Sequence, residues 1–434
     1  MGNSIIVHKF GGSCLRDASD AERMAQAIST FGGTPVVVVS ALWGVTDKLI
    51  RATKDTRYAG RLVNDLRHQH LRFAPGMEIS QNELFNGVMG RLEKDLIGLS
   101  NNQDDIQAYN RILAAGERLS ALAVAHSLQN LGIDARPQGA EDIGLVLDGE
   151  GRANKVDLDS SNLIIDPENL ASIPILTGWF GEGKDGGLAL LSRGGSDHSA
   201  AAFARLLGSK SLVLWKDVPG VLSLNPRWGI GNTIPKLSKG EAMEMAIFGS
   251  TIIHPATMIP LKDSEISIQV RSFSDPQGEH TMICESVSRD WPIAIVCEPG
   301  VMSAEIYIDA LDKVGEMINR FESAAILAWS IESAPGLLRI VFNSHDLSEM
   351  ESILLKDELE YSINDSMALL TLIGNGLSEY SEQWRLSISE LLNEDENIEM
   401  MGNSPNGIRI RLTTNNPATI IGKIHELICV KPVN

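Results

Sequence analysis

Lys9 stands near the end of an apolar run, Ile5 to Phe10, and is followed by Gly11, Gly12 and Ser13. A strand that ends in a glycine turn before a helix lets main-chain N–H groups approach an anion, and the helix start adds a favourable dipole. A lysine beside it supplies a point charge for phosphate oxygens. The same residues also read as a tight turn with a solvated lysine. A second glycine-rich turn, Ser192-Arg193-Gly194-Gly195-Ser196-Asp197, again separates a strand pattern from a helix pattern. Arg193 suits a two-pronged grip on a carboxylate. Asp197 suits holding a lysine or Mg2+, or capping the next helix beside an Arg–Asp surface pair. Trp215-Lys216-Asp217-Val218-Pro219-Gly220-Val221, with Asn225-Pro226-Arg227, is a third cation-bearing loop, and Gly116-Glu117-Arg118 reads by itself as a charged helix start. In an open α/β sheet the loops that follow successive parallel strands share one edge, and that edge is where ligands sit.

The elements that must position these turns follow from periodicity. Ile5–Phe10 reads as a strand, and Asp17 to Thr30 as a helix capped by Asp17 or Ser19. Thr34 to Val39 contains an unbroken valine run, which suits a strand buried on both faces of a parallel sheet. Residues 47–130 are helix-forming, with an interruption at Gly116–Ser120 before a further helix from Ala121 to Leu131. A strand over Ile173–Phe180, a hairpin across Gly183–Gly187 to Leu188–Leu191, a helix from His198 to Leu207 and a strand over Ser211–Trp215 complete an α/β sandwich with a mainly parallel sheet. This catalytic-sized domain spans 1–285. Beyond it, a strand-helix-strand-strand-helix pattern occurs twice, predicting two ferredoxin-like βαββαβ units at 290–360 and 365–434, with the terminal segment able to complete the first.

Composition narrows the function. The 434 residues are 43% apolar and 21% charged, enough to bury large cores, and 37 Lys plus Arg against 56 Asp plus Glu leave a net charge of −19. Such acidity repels phosphodiester backbones and anionic lipid, which argues against nucleic-acid and membrane partners but not against a small anion in a local basic pocket. The four cysteines, Cys14, Cys284, Cys297 and Cys429, form no CxxC pair, so neither a disulfide scaffold nor a zinc site is indicated. With no apolar run near the ~20 residues of a membrane helix and no signal-peptide layout, the cytoplasm is the expected compartment.

Taken in order, several stretches resemble the aspartate kinases of the amino acid kinase family. They are Lys9-Phe10-Gly11-Gly12-Ser13, Val39-Ser40-Ala41, Gly44-Val45-Thr46-Asp47, Gly116-Glu117-Arg118-Leu119-Ser120, Arg193-Gly194-Gly195-Ser196-Asp197, Asp217-Val218-Pro219-Gly220-Val221, Pro226-Arg227, Glu241-Ala242, Phe248-Gly249 and His254-Pro255. The resemblance runs over nearly the whole chain. The C-terminal repeat resembles that family's tandem ACT regulatory region, and with no further domain pattern after it the expectation is a form unlike those fused to homoserine dehydrogenase. The resemblance implies ATP-dependent phosphorylation of the β-carboxylate of L-aspartate, with Mg2+ bridging the phosphates and no protein metal ligands assigned. It implies Lys9, Gly11, Gly12 and Ser13 at the phosphates and Ser40, Thr46, Glu117, Arg193 and Ser196 around aspartate, Glu117 on the ammonium and Arg193 on the α-carboxylate. Asp197 would orient the charged partners. Lys216, Asp217, Leu222, Arg227 and Thr251 would occupy nucleotide positions. An amino-acid effector, lysine or threonine, and a homodimer or larger assembly through the ACT units are implied as well.

The departures all lie on the nucleotide side. Lys216 stands where the family has Thr, Leu222 where it has Tyr, Asn225 where it has Asp, and Thr251 where it has a lysine that neutralises phosphate. Lys216 is the candidate replacement for that charge. Two other readings stay open: a kinase of another small carboxylate, and a catalytically weak amino-acid sensor. The acidic stretch Asp309-Ala310-Leu311-Asp312 reads either as a face for a cationic effector or as a helix cap.

Overall fold

The computed structural model describes residues 4–80, 82–287, 289, 291–308, 312–324, 326, 328–392, 397–414 and 417–429. The acidic stretch at 309–311 lies outside the described residues. The chain divides into two compact units: the first comprises 1–221, 233–246 and 251–287, the second 222–232, 247–250 and 288–434.

The first unit is built on an eight-stranded sheet in the order Ala135–Gln138, Ile173–Thr177, Thr34–Val39, Ile5–Phe10, Ser211–Lys216, Ser267–Ser272, His280–Cys284 and Lys236–Ser238. Every neighbouring pair is parallel except Ser267–Ser272 with His280–Cys284. Side chains alternate between the two faces of each strand, and that parity decides where the cations go. Ile6, Phe10, Val37, Val39, Val213 and Trp215 join one apolar cluster with the helix Ile106–Asn130. Lys9 and Lys216 have the opposite parity. They therefore emerge on the other face, where the helix Gly195–Leu206 packs against the strands Ile5–Phe10 and Ser211–Lys216. Phe10 is level with both Val39 and Trp215, and Val39 with Thr177, so four strands end along one edge.

The expected break at Gly116–Ser120 is absent: one helix of 25 residues runs from Ile106 to Asn130. Gly116 serves packing there, because a Cβ on it would lie 2.9 Å from Ala41 Cβ and 3.1 Å from Leu49 Cδ1. Its cost to helix propensity, about 1 kcal/mol, is offset by burial of the whole segment around it. The hairpin forms with a shorter first arm, Phe180–Glu182 against Leu188–Leu191, since Ile173–Thr177 belongs to the large sheet.

The second unit is a six-stranded antiparallel sheet ordered Ala328–Ala334, Leu337–Asn343, Ala294–Tyr307, Tyr361–Ile373, Gly407–Thr413 and Asn397–Ser404. Its two long central strands pair along their length, with a register irregularity between Pro299 and Ser303. On one side of that irregularity Ile295 and Cys297 share an apolar cluster with Leu370, Leu372, Trp384 and Ile424. On the other, Ala304 and Ile306 share one with Leu338, Phe342, Met350 and Leu354. The two clusters thus divide the long strands between them, and the interleaved pairing differs from an end-to-end boundary between 360 and 365. Segment 222–232 joins the first cluster through Leu224, and Ile295 N–H donates to the Ser223 carbonyl at 2.9 Å.

Candidate active site

At the shared strand edge lies a cleft of about 380 Å3 lined by Lys9, Ser40, Thr46, Glu117, Arg152, Trp179, Leu191 and the turn Ser192–Asp197. Seven of the residues singled out in the sequence are therefore brought together: Lys9, Ser40, Thr46, Glu117, Arg193, Ser196 and Asp197.

The helix after the second glycine turn starts at Gly195, three residues earlier than its sequence pattern suggests, so Ser196 and Asp197 lie in its first turn. Gly194 precedes it in the left-handed region at φ +78, and a Cβ there would fall 2.5 Å from His254 Cγ. Asp197 is not a surface cap. Its Oδ1 is 2.6 Å from Lys9 Nζ, and its Oδ2 accepts from Lys216 Nζ at 2.8 Å. Burial works against ionisation of Asp197, but the ammoniums of Lys216 and Lys9 outweigh it and hold its carboxyl well below the usual range. Two ammoniums on one buried carboxylate leave an excess positive charge. Two neighbouring titratable groups leave that excess unchanged. Burial keeps the Cys14 thiol neutral, pushed up to about 11, and lowers His254 despite the pull of Asp197.

Glu117 is fully buried inside the long helix. Its Oε1 accepts from Ala41 N–H at 3.2 Å, while Oε2 has no partner among the described residues. Burial raises its carboxyl to about 8, against the downward pull of the Ala41 hydrogen bond and of Lys9. A carboxyl group held this way has one oxygen free for an incoming cation.

The glycine turn after Lys9 folds as a single 3-10 turn, Gly12–Cys14. A Cβ on Gly11 would lie 3.3 Å from Lys9 Nζ, and one on Gly12 3.1 Å from the Ala41 carbonyl oxygen, so no side-chain atom crowds this side of the ammonium. Ser13 is half-buried in the same turn. The remaining nucleotide-side candidates are not gathered here. Asp217 is exposed, 3.9 Å from Arg16. Leu222 and Arg227 lie in the segment 222–232 that belongs to the second unit, and Thr251 is an exposed residue of the first.

Sequence reasoning missed three cleft residues, Trp179, Arg152 and Leu191. Trp179 has φ +74, rare for a bulky side chain, and is held by two hydrogen bonds, its N–H to Ser199 Oγ at 3.1 Å and its indole N–H to the Leu191 carbonyl at 2.8 Å. Gly178 just before it marks the strand's end and was the available signal. Arg152 follows Gly149-Glu150-Gly151, a turn signal whose cation went unread. A second hollow of about 500 Å3 shares no residue with the cleft; there Arg111 is committed to Asp95 and Arg118 to Glu141.

A parallel sheet whose strand-end loops converge lysines, a buried aspartate and glycine turns defines a small-molecule kinase architecture. Residues 4–272 match the amino acid kinase family. The chain is 25% identical over 442 residues to aspartokinase 1, chloroplastic, of Arabidopsis thaliana, covering 94% of this chain and 77% of that one. Among solved structures, E. coli aspartokinase III in complex with aspartate and ADP (R-state) superposes with a TM-score of 0.83 at 21% identity, covering 98% of this chain and 100% of that one. The same enzyme in complex with lysine and aspartate (T-state) gives 0.81, also at 21% identity, over 98% and 99% of the two chains. The chain belongs to the amino acid kinase family. No helix among the described residues is long and apolar enough to cross a membrane.

Proposed function

We propose that the chain is an aspartate kinase that transfers the γ-phosphoryl group of ATP to the β-carboxylate of L-aspartate, forming 4-phospho-L-aspartate and ADP. The observation that carries this reading is Glu117: a buried carboxyl group lining the cleft whose Oε2 has no partner among the described residues, on the same cleft as Arg193. A cation acceptor and a carboxylate grip on one cleft match the α-ammonium and α-carboxylate of an amino acid. The β-carboxylate then faces Lys9 and Asp197. A β-carboxylate oxygen forms the new bond to phosphorus as the bond from phosphorus to the bridging oxygen of ADP breaks. The carboxylate is already a nucleophile, so no general base is needed, and the chain contributes positioning and charge. Lys9 and the Gly11 and Gly12 amides would meet the transferring group, with Ser13 and Ser40 beside it and Thr46 and Ser196 around aspartate. Asp197 holds the ammonium of Lys9 in position.

Among the described residues no group of three or more His, Cys, Asp or Glu is set to hold a metal ion. Mg2+ would offset the charge of the phosphate oxygens, in keeping with its preference for phosphate and water. Asp217, Leu222, Arg227 and Thr251 are the further nucleotide candidates. The second unit is proposed as the seat of amino-acid feedback, by lysine or threonine, and of assembly into a homodimer or larger oligomer. The E. coli T-state complex with lysine supports an amino-acid effector.

The decisive experiment is a hydroxylamine-trapping assay with Mg-ATP and L-aspartate, run in parallel on the wild type and Arg193→Ala. Aspartate-dependent hydroxamate from the wild type, abolished in the folded variant, supports the assignment. An Arg193→Ala enzyme with unchanged aspartate affinity would falsify it.

A further inference from the structure

Lys9 and Lys216 are both engaged by Asp197, but the two arginines on the cleft, Arg193 and Arg152, have no carboxylate partner among the described residues. Arg152 does not reach the cleft by accident of a long side chain. The turn before it depends on glycine at two positions: a Cβ on Gly149 would lie 1.9 Å from the Arg152 carbonyl oxygen, and Gly151 sits in the left-handed region at φ +66. The short strand Arg152–Ala153 then pairs in parallel with Leu190–Leu191, and Ser192 N–H donates to the Ala153 carbonyl at 3.2 Å. The arm that leads into Arg193 therefore carries Arg152 alongside it. The Arg152 guanidinium is stacked 5.2 Å from the ring centroid of Tyr109, on the helix that also bears Glu117. Stacking leaves the edge N–H groups of a guanidinium available to an anion.

We infer that Arg152 is a substrate-binding residue which, together with Arg193, grips the α-carboxylate of the amino-acid acceptor and so makes a free α-carboxylate a condition of turnover. The inference rests on the aspartate kinase reading and adds to it the recognition of one end of the acceptor. Two guanidiniums on one carboxylate discriminate by charge as well as shape, because an amide in that position leaves both cations without a counter-charge.

The test uses the full-length chain as wild type, Arg152→Met and Arg152→Lys. Turnover is followed by ADP release and hydroxamate formation, with L-aspartate and with its α-amide as acceptors, and thermal unfolding is recorded for each protein. The wild type is expected to prefer aspartate strongly. In Arg152→Met the KM for aspartate should rise roughly 10- to 100-fold, on the scale of losing one charge-assisted bond to substrate, with kcat and the nucleotide KM nearly unchanged. The preference for aspartate over the α-amide should shrink by the same factor, and Arg152→Lys should recover part of it. An Arg152→Met enzyme whose KM values rise equally for both acceptors, or for neither, overturns the inference and leaves Arg152 as a packing partner of Tyr109. A wild type that phosphorylates neither acceptor overturns the aspartate kinase reading itself, and the assignment of Arg152 with it.

Discussion

The two units handle charge in opposite ways. In the first, Lys9, Asp197 and Lys216 are withdrawn from water, with side-chain exposures of 7%, 8% and 19%, and their charges do not balance. In the second, Arg339 bridges Glu305, Glu332 and Glu399 across four strands, and Arg411 pairs with Glu399, all of them partly solvated. Desolvated charges cost several kcal/mol each unless paired, so the excess positive charge of this buried cluster calls for a further counter-charge, which the proposed anionic substrate would supply. Half-exposed pairs cost little and contribute little, about 0–1 kcal/mol, and they suit a sheet where cross-strand neighbours need only be compatible. The contrast separates a region of buried, unbalanced charge from one whose partly exposed charges pair across the sheet.

The sharpest way to break this contrast is Asp197→Asn. It leaves two buried ammoniums without a counter-charge, and the expected loss is about 3–5 kcal/mol of stability together with most turnover. Urea unfolding and steady-state assays measure the two separately. Unchanged stability would mean that the cluster is better solvated than its exposure implies.

Next in size is Lys216→Thr. Lys216 is already 2.8 Å from Asp197 Oδ2, close enough to share its charge between that carboxylate and phosphate oxygens. Turnover should fall by ~10²-fold, as when one charge-stabilising donor is lost in a water-poor site. If the missing lysine at Thr251 is what Lys216 offsets, Thr251→Lys should restore part of the activity in that background. Additive, independent effects of the two substitutions would rule out compensation.

A smaller effect concerns Glu117. Its carboxyl is raised to about 8 by burial, so the free protein holds this proton at neutral pH, whereas an ammonium ligand favours the carboxylate. Aspartate binding should therefore release a proton, and its affinity should rise about tenfold per pH unit up to about 8, then level off. Calorimetry in buffers of different ionisation enthalpy counts the proton, and Glu117→Gln should remove the slope without disturbing nucleotide binding. The same shift affects folding with the opposite sign. A pKa raised from 4.5 stabilises the fold below that value, and the contribution is lost as pH rises through about 8.

The smallest expected change is Arg339→Ala in the second unit. It should alter stability by about 1 kcal/mol or less and leave turnover untouched. A loss as large as that of Asp197→Asn would erase the distinction between the two regions.

Much of the architecture was legible in the residues themselves. The valine run Val36–Val39 can be satisfied only by burial on two faces, and the glycine turns after Phe10 and Ser192 mark strand ends facing a ligand edge. Residue type alone identified Lys9, Arg193 and Asp197 as chemically capable, whereas Glu117 read by itself as a charged helix start and was singled out only by the family resemblance. Other features were not accessible from local pattern. Gly116 looked like a helix break because propensity sees only the missing Cβ, whereas Ala41 and Leu49 press against that position from elsewhere in the chain.

The placement of charge likewise belonged to tertiary structure. Lys216 looked like a strand-end lysine; strand parity and the register of Ser211–Lys216 beside Ile5–Phe10 bring it to the same carboxylate as Lys9. Leu222 and Arg227 follow the same loop in sequence, yet Leu224 buries with Ile295 and carries the segment 222–232 into the second unit. Sequence spacing states which residues are available and roughly which strand end each follows. Only the packing of distant apolar side chains decides which strand ends become neighbours, because burial is shared among elements and no single element contains the partner that completes it.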